Sequence, residues 1–277
     1  MKKARLDVLL VERGFVDNQK QAAAAIMSGN VFVDGHRAST PGMAADYDAM
    51  IELRGKKEYV SRAGHKLQKA LDNFAVSPNG KICIDCGAST GGFTDCLLRY
   101  GAKLVYAVDV AYGQLALSIR NDPRVVVMER TNIRHARLDM FETRPVFAAI
   151  DVSFISLSLV LPVMRELLSD DGDVLCLIKP QFEAKREQIG DKGVIQDPQT
   201  HLEVLDAFIQ SAIDSAFVMK GLTFSPIKGP EGNIEYLAWL GFYGECAKID
   251  TRAVVFESHV KLMKDASEYP WGNEFVR

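Results

Sequence analysis

A chain of 277 residues holds one large domain, or one of ordinary size with a small one beside it. Its 48% hydrophobic content supplies a sizeable core and excludes a disordered chain. A net charge of −3 excludes a globally basic nucleic-acid binder, so any polyanion has to be met by a local patch. The five cysteines, Cys83, Cys86, Cys96, Cys176 and Cys246, are odd in number and set mostly in apolar runs, the pattern of reduced thiols in a cytoplasmic protein. Cys83 and Cys86 form one C-x-x-C inside an apolar run, and the five histidines are scattered without H-E-x-x-H spacing. No metal is expected. The start lacks the apolar segment of a signal peptide, and no run is long enough to span a membrane.

Arg5 to about Leu53 has a pattern of its own. Leu6, Leu9 and Leu10 share a helical face that Gly14 ends, and Gln19 to Ser28 reads as a second, alanine-rich helix closed by Gly29. Val31-Phe32-Val33 leads into an Asp34-Gly35 turn, and Met50 to Leu53 closes a small sheet. R-L-D-V-L-L from Arg5, followed by A-A-x-x-I-x-x-G-x-V-x-V-D-G from Ala22 to Gly35, resembles the S-four-like RNA-binding domain. That resemblance implies an RNA contact, for which Lys2, Lys3, Arg5, Arg13 and Lys20 are the candidates, with Arg62 further along. The family usually has Ser-Arg where this chain has Asn18-Gln19, which removes one expected phosphate contact. Met1 to Val60 carries nine Lys/Arg against eight Asp/Glu, a weak electrostatic footprint. The expected division is a small α+β domain over 1–54, a linker over 55–61, a larger domain over 62–245, and a helix with a tail over 246–277.

Ala63 to Phe74 reads as a helix whose apolar face holds Leu67, Ala70, Leu71 and Phe74. Lys66 lies off that stripe and, taken alone, reads as a solvated lysine. The apolar run from Lys81 then ends at Asp85, a turn with Gly87, Gly91 and Gly92 follows, and Phe93 to Arg99 is amphipathic. Strand, turn, helix is the reading. Glycines let the backbone approach a ligand where a Cβ would collide, and a helix N-terminus offers unpaired N–H groups, so a small-molecule pocket is expected here. Further strands are Leu104 to Val108 (closed by Asp109), Val125 to Met128, Val146 to Ile150 (ending at Asp151) and Val174 to Ile178 (ending at Lys179). Ser156 to Leu168 and Pro198 to Phe217 read as helices. Two β-rich runs within Leu222 to Phe242 are split by a loop from Lys228 to Asn233, and Arg252 to Lys264 is a last helix. The fold class is α/β, a mostly parallel doubly wound sheet with an antiparallel last strand.

The turn is Asp85-x-Gly87-x-x-x-Gly91-Gly92, which departs from the dinucleotide pattern G-x-G-x-x-G and is similar to motif I of S-adenosylmethionine-dependent methyltransferases. That likeness implies a nucleoside held without a phosphate cradle. The cofactor-binding candidates are Asp85, Gly87, Ala88, Ser89, Thr90, Gly91, Gly92 and Phe93, with Asp109 as acceptor for ribose hydroxyls, and Asn132 and Asp151 beside them. Asp109, Asp151 and Lys179 stand at carboxyl ends of strands. Glu235 opens a strand running the other way, so Asp151, Lys179 and Glu235 converge on one edge.

S-R-A-G-H-K-L at 61–67, G-A-S-T-G-G-F-T at 87–94, Y-G-Q-L at 112–115, R-N-D-P-R-V-V-V at 120–127, D-V-S-F-I-S-L at 151–157, I-K-P-Q-F-E at 178–183 and G-N-I-E-Y at 232–236 resemble the TlyA family along nearly the full chain. The resemblance implies a Rossmann-like class I methyltransferase sheet of the FtsJ type behind the S-four-like domain. It also implies 2′-O-methylation of ribosomal RNA from S-adenosylmethionine, by a cytoplasmic monomer. A Lys-Asp-Lys-Glu tetrad falls on Lys66, Asp151, Lys179 and Glu235. A ribose hydroxyl is a weak acid, and a lysine can take its proton where burial and neighbouring charge favour the neutral amine. Lys179 is assigned that part, Asp151 and Glu235 orient the two amines, and Lys66 disfavours the protonated base or holds a phosphate. The family is often labelled haemolysin. A membrane-acting toxin and a non-catalytic RNA-binding protein are therefore the alternatives, although no basic amphipathic membrane helix is present.

Overall fold

The structure is a computed structural model that describes residues 3–16, 18–53, 59–190 and 193–262. It divides into two compact units between Glu58 and Tyr59.

In the first unit, β1 (Lys3–Arg5) pairs antiparallel with β4 (Ala44–Asp46), while β2 (Val31–Val33) lies between β3 (His36–Arg37) and β5 (Ile51–Leu53). Two helices, α1 (Leu6–Glu12) and α2 (Gln19–Met27), bury Leu6, Leu9, Leu10, Ala22 and Ile26 against Val31 and Ile51. Asp34 and Gly35 have φ of 50° and 80°, the left-handed pair that a two-residue hairpin turn requires. Asn18, at the departure from the Ser-Arg pattern, caps α2: its side chain accepts the Gln21 N–H at 3.0 Å.

The second unit is built on seven strands: β6 (Ile82–Cys86), β7 (Leu104–Val108), β8 (Val125–Met128), β9 (Phe147–Ile150), β10 (Asp173–Ile178), β11 (Val218–Phe224) and β12 (Tyr236–Gly241). Their lateral order is β11-β12-β10-β9-β6-β7-β8. All pairings are parallel except those of β12, which runs antiparallel to both neighbours. The expected mostly parallel sheet with one reversed strand is present. The reversed strand lies one place in from the edge, which β11 occupies.

These strands are continuous apolar runs because helices cover both faces. Leu175 and Leu177 of β10 face the layer of α3 (Ala63–Phe74), α4 (Gly92–Arg99) and α5 (Leu117–Arg120), which contributes Leu67, Leu71, Leu97 and Ile119. Val174, Cys176 and Ile178 face the other side, where α6 (Leu161–Leu167), α8 (Pro198–Asp214) and α9 (Thr251–Leu262) bring Met164, Leu205, Phe208 and Val255. Truncating such a buried leucine to alanine costs about 2–5 kcal/mol. Cys83 and Cys86 fall on opposite faces of β6, so the C-x-x-C cannot act as one chelating or redox pair.

Three boundaries differ from expectation. Ser156 to Leu168 is a 3₁₀ turn at Leu157–Leu159 followed by the shorter α6, with Pro162 in its first turn. Tyr59 is buried and the Val60 N–H donates to Asp95 Oδ2 at 2.8 Å, so both pack within the second unit rather than in a linker. The last helix is an integral part of this unit: α9 buries Val255, Ser258 and His259. Lys2, residues 54–58, which include most of the expected 55–61 linker, and the tail beyond Leu262 lie outside the described residues.

Candidate active site

The site is built where strand ends meet. Gly87, just past β6, has φ 90°, and a Cβ there would lie 2.3 Å from the carbonyl oxygen of Asp151 just past β9. Only glycine lets these two loops close on each other. Asp109, past β7, is fixed by two backbone donors: the Ser89 N–H reaches Oδ2 and the Ala111 N–H reaches Oδ1, each at 2.7 Å. Each oxygen keeps a lone pair for a further donor. Together these loops wall a cavity of about 670 Å³, within the range of small-molecule sites.

Of the predicted cofactor residues, Gly87, Ser89, Asp109, Asn132 and Asp151 line this cavity. Ala88, Thr90, Gly92 and Phe93 line an adjoining hollow of about 90 Å³, which also touches Gly87, Ser89 and Asp151. Gly91 does not line either. A Cβ on it would press on Leu115 and Ile119 at 3.0–3.2 Å, so its part is to seat the turn. Asp85 also lines neither. It is fully buried beneath the turn, with Oδ2 accepting the Thr94 hydroxyl at 2.5 Å and no hydrogen-bond donor on Oδ1. Burial pushes its carboxyl up to about 7, against the opposing Thr94 hydrogen bond.

The four tetrad positions form two ion pairs. Lys66 is not a solvated lysine: only 7% exposed, it places Nζ 2.5 Å from Glu235 Oε2. Glu235, immediately before β12, is 1% exposed, and a Cβ on Gly229 would come within 2.7 Å of its Oε1. Burial raises its carboxyl above the usual range, opposed first by Lys66 and then by Lys179, while Asp151 raises it further. Both members of the second pair are thus close enough to act on the first. In that second pair Lys179 Nζ lies 2.6 Å from Asp151 Oδ1, but no hydrogen bond is aligned on that oxygen; the contact is ionic. Lys179 donates instead to Ser153 Oγ at 2.9 Å. Buried pairs are poor stabilisers, because desolvation offsets their attraction. Of the four, Asp151 alone lines the cavity; Lys179 reaches it through its contacts with Asp151 and Ser153, and Lys66 and Glu235 lie buried behind. Four ionisable groups gathered from separate elements beside one cavity point to chemistry.

Sequence reasoning missed the loop next to Asp151. Phe154 is 90% exposed at φ 62°, a backbone conformation that a bulky side chain rarely adopts, and its ring lies 4.9 Å from that of Phe182. Phe182 belongs to the short helix α7 (Pro180–Glu183) that follows Lys179. Glu183 of the same turn accepts the Ser156 hydroxyl at 2.6 Å and the Leu157 N–H at 2.8 Å. D-V-S-F-I-S and K-P-Q-F-E are thus two halves of one hydrogen-bonded structure, a relation with no periodicity to signal it. On the opposite flank the Asn233 side chain accepts the Ile195 N–H and donates to the Gly193 carbonyl, each at 2.9 Å, which anchors the loop leading to Glu235.

The RNA-contact candidates among the described residues divide between the two units. Lys3, Arg5, Arg13 and Lys20 are exposed on the first unit, and Arg62 is exposed at the start of α3. Arg5 binds Asp7 through both Nε and NH2, and Arg13 donates to the Ala49 carbonyl at 2.8 Å, so two of the five already spend donors within their unit.

Residues 59–242 match the FtsJ-like methyltransferase family, and residues 4–46 match the S4 domain family. Among curated relatives, the candidate rRNA methyltransferase YqxC of Bacillus subtilis (strain 168) is 49% identical over 97% of this chain and 99% of its own. The 16S/23S rRNA (cytidine-2′-O)-methyltransferase TlyA of Mycobacterium tuberculosis (strain ATCC 25618 / H37Rv) is 44% identical over 86% of this chain and 90% of its own. Among solved structures, a candidate hemolysin from Streptococcus thermophilus superposes with a TM-score of 0.73 at 46% identity, covering 94% of this chain and 97% of that one.

Proposed function

The chain belongs to the TlyA family, in which an S4 domain precedes an FtsJ-like methyltransferase domain, and on that premise we propose that it methylates a ribose 2′-hydroxyl of ribosomal RNA with S-adenosylmethionine as donor. The observation that carries the reading is the double ion pair, Lys66–Glu235 and Lys179–Asp151, which meets the cavity at Asp151. A ribosomal substrate makes this a cytoplasmic enzyme.

The cavity fits a nucleoside-based donor. Asp109 lines it with a carboxylate held by backbone N–H groups, and Gly87 lets the loops after β6 and β9 close to form its wall. Asp109 and Asn132 would hold the nucleoside, with the backbone of residues 87–90 against it. When bound, S-adenosylmethionine supplies a methyl group on a sulfonium, whose S–C bond breaks as the O–C bond to the ribose oxygen forms. The proton of that hydroxyl goes to Lys179 Nζ. Asp151 holds this nitrogen at the cavity edge and stabilises the ammonium once the proton has arrived. Lys66, buried and bonded to Glu235, is better placed to adjust the charge around Lys179 than to grip a phosphate in solvent. Phe154 and Phe182 offer an aromatic surface on which an unstacked base can rest. The S4 domain would contribute phosphate contacts through Lys2, Lys3, Arg5, Arg13 and Lys20.

The test uses ribosomal subunits from cells lacking the protein and labelled methyl donor. Lys179→Ala abolishes transfer while donor binding, measured by calorimetry, is retained; near-normal turnover in that variant overturns the base assignment. Mapping 2′-O-methyl positions with and without the protein identifies the nucleotide, and unchanged maps overturn the substrate. The name of the solved relative raises a membrane-acting alternative. Among the described residues no helix is long and apolar enough to cross a membrane, and purified protein is expected to leave dye-loaded liposomes intact.

A further inference from the structure

The two contacts of Lys179 differ in kind, and the difference assigns a part to a residue outside the tetrad. Asp151 lies 2.6 Å from Nζ but is not aligned as a hydrogen-bond acceptor, so its attraction fixes the distance of the nitrogen and leaves its rotation open. The directional contact is the one to Ser153, at 2.9 Å. We propose that Ser153 is the positioning residue of the transfer reaction: its hydroxyl accepts an N–H of Lys179 and so turns the nitrogen lone pair toward the substrate hydroxyl. This inference rests on the reading of Lys179 as base.

A neutral amine has two N–H groups and one lone pair. With one N–H held on Ser153, rotation about the Cε–Nζ bond is set and the lone pair can be left for the cavity, whose wall includes both Asp151 and Ser153. A hydroxyl suits this task because it orients the amine without adding charge. A second carboxylate in its place would stabilise the ammonium and disable the base. Ser153 is itself held. The next residue, Phe154, takes the left-handed conformation, and Ser156 and Leu157 are tied to Glu183, four residues after Lys179. Two hydrogen-bonded crossties therefore join the segment after Asp151 to the segment after Lys179, and the Ser153–Lys179 bond is the one that reaches the reacting proton.

The experiment measures single-turnover methylation of ribosomal subunits from cells lacking the protein, across pH, with donor affinity determined by calorimetry. Ser153→Ala is expected to lower the maximal rate about tenfold with little change in KM for the subunit or in donor affinity. Ser153→Thr keeps the hydroxyl and restores most of the rate. Ser153→Asp moves the half-maximal rate about one pH unit upward, because the added charge holds the proton on Lys179. Unchanged rate and pH profile in Ser153→Ala and Ser153→Asp, alongside an inactive Lys179→Ala, overturn the positioning role and leave the base reading standing. An active Lys179→Ala overturns both. A Ser153→Ala defect that is confined to KM, or that threonine does not rescue, also overturns the role.

Discussion

Arg5–Asp7 in the first unit and Lys66–Glu235 in the second are both cation–carboxylate pairs at hydrogen-bond distance, yet they do opposite things. The Arg5 side chain is 64% exposed against 7% for Asp7, so water reaches the cation and weakens the pair, and holding a long side chain costs entropy. The Lys66 and Glu235 side chains are 8% and 1% exposed, and desolvation there opposes folding unless both charges stay together. A pair open to water on its cation side can be kept by chance. A buried pair persists against its own energetic disadvantage, which is what the proposed reaction would account for.

Breaking the buried pair from one side is the largest effect expected. Lys66→Met leaves Glu235 buried without its counter-charge and costs about 3–5 kcal/mol in urea unfolding of the second unit. Adding Glu235→Leu returns most of that stability while methyl transfer stays absent. A double variant no more stable than the single one would show that the pair holds the fold rather than the chemistry.

Next in size is a pH effect that sharpens the contrast between paired and unpaired buried charge. Asp85 is raised to about 7, above its value in an unfolded chain, so its favourable contribution is full below roughly pH 4 and is lost as pH rises toward 7, at about 1.4 kcal/mol per pH unit. Burial lowers His201 to about 3 and His259 to about 4, so their contribution is full above roughly pH 6.5 and is lost as pH falls toward those values. The trends oppose each other through the same window. Removing the acid with Asp85→Asn should leave the histidine trend alone: the melting temperature of the variant gains on the native chain from about pH 4 to 7, then runs parallel. A constant gap across that range would mean Asp85 does not titrate there.

Smaller again is Asn18→Ala, which removes the cap of α2 and costs the first unit about 1 kcal/mol, read from hydrogen exchange of the α2 amides. Asn18→Ser should restore protection. The smallest is Arg5→Ala, which should lower the unfolding midpoint only slightly, because Asp7, 7% exposed, loses a partner that water already screens. Its effect belongs to RNA binding, where losing one phosphate contact lowers the salt-dependence slope by about one. An unchanged slope removes Arg5 from the RNA surface.

The strand ends were legible in the sequence because a charged residue closing an apolar run is a local signal, and Asp109, Asp151 and Lys179 all carry it. Glu235 was legible by the same rule, once its strand was read as reversed. Lys66 was not, since helical periodicity sets it off the apolar stripe of α3. Its burial comes from a partner 169 residues away. Phe154 was not legible either: its exposure and left-handed φ follow from the loop after Asp151 and carry no periodic signal. Asp85 was read as a cofactor contact from motif position alone, but position along a strand end does not say whether a side chain faces the cavity or the layer beneath it. The lateral place of β12, inside β11, is a matter of which edges pair, and chain order alone does not encode it.

The division of β6 into two faces also bears on how this protein can be followed in the laboratory. Cys83 and Cys96 are raised to about 12 by burial, Cys86 and Cys176 are raised likewise, and all four are buried. Cys246 is the one thiol on the surface. A thiol-directed dye therefore titrates one group in the native chain and all five, Cys83, Cys86, Cys96, Cys176 and Cys246, once the sheet opens. The molecule comes with its own counter for unfolding.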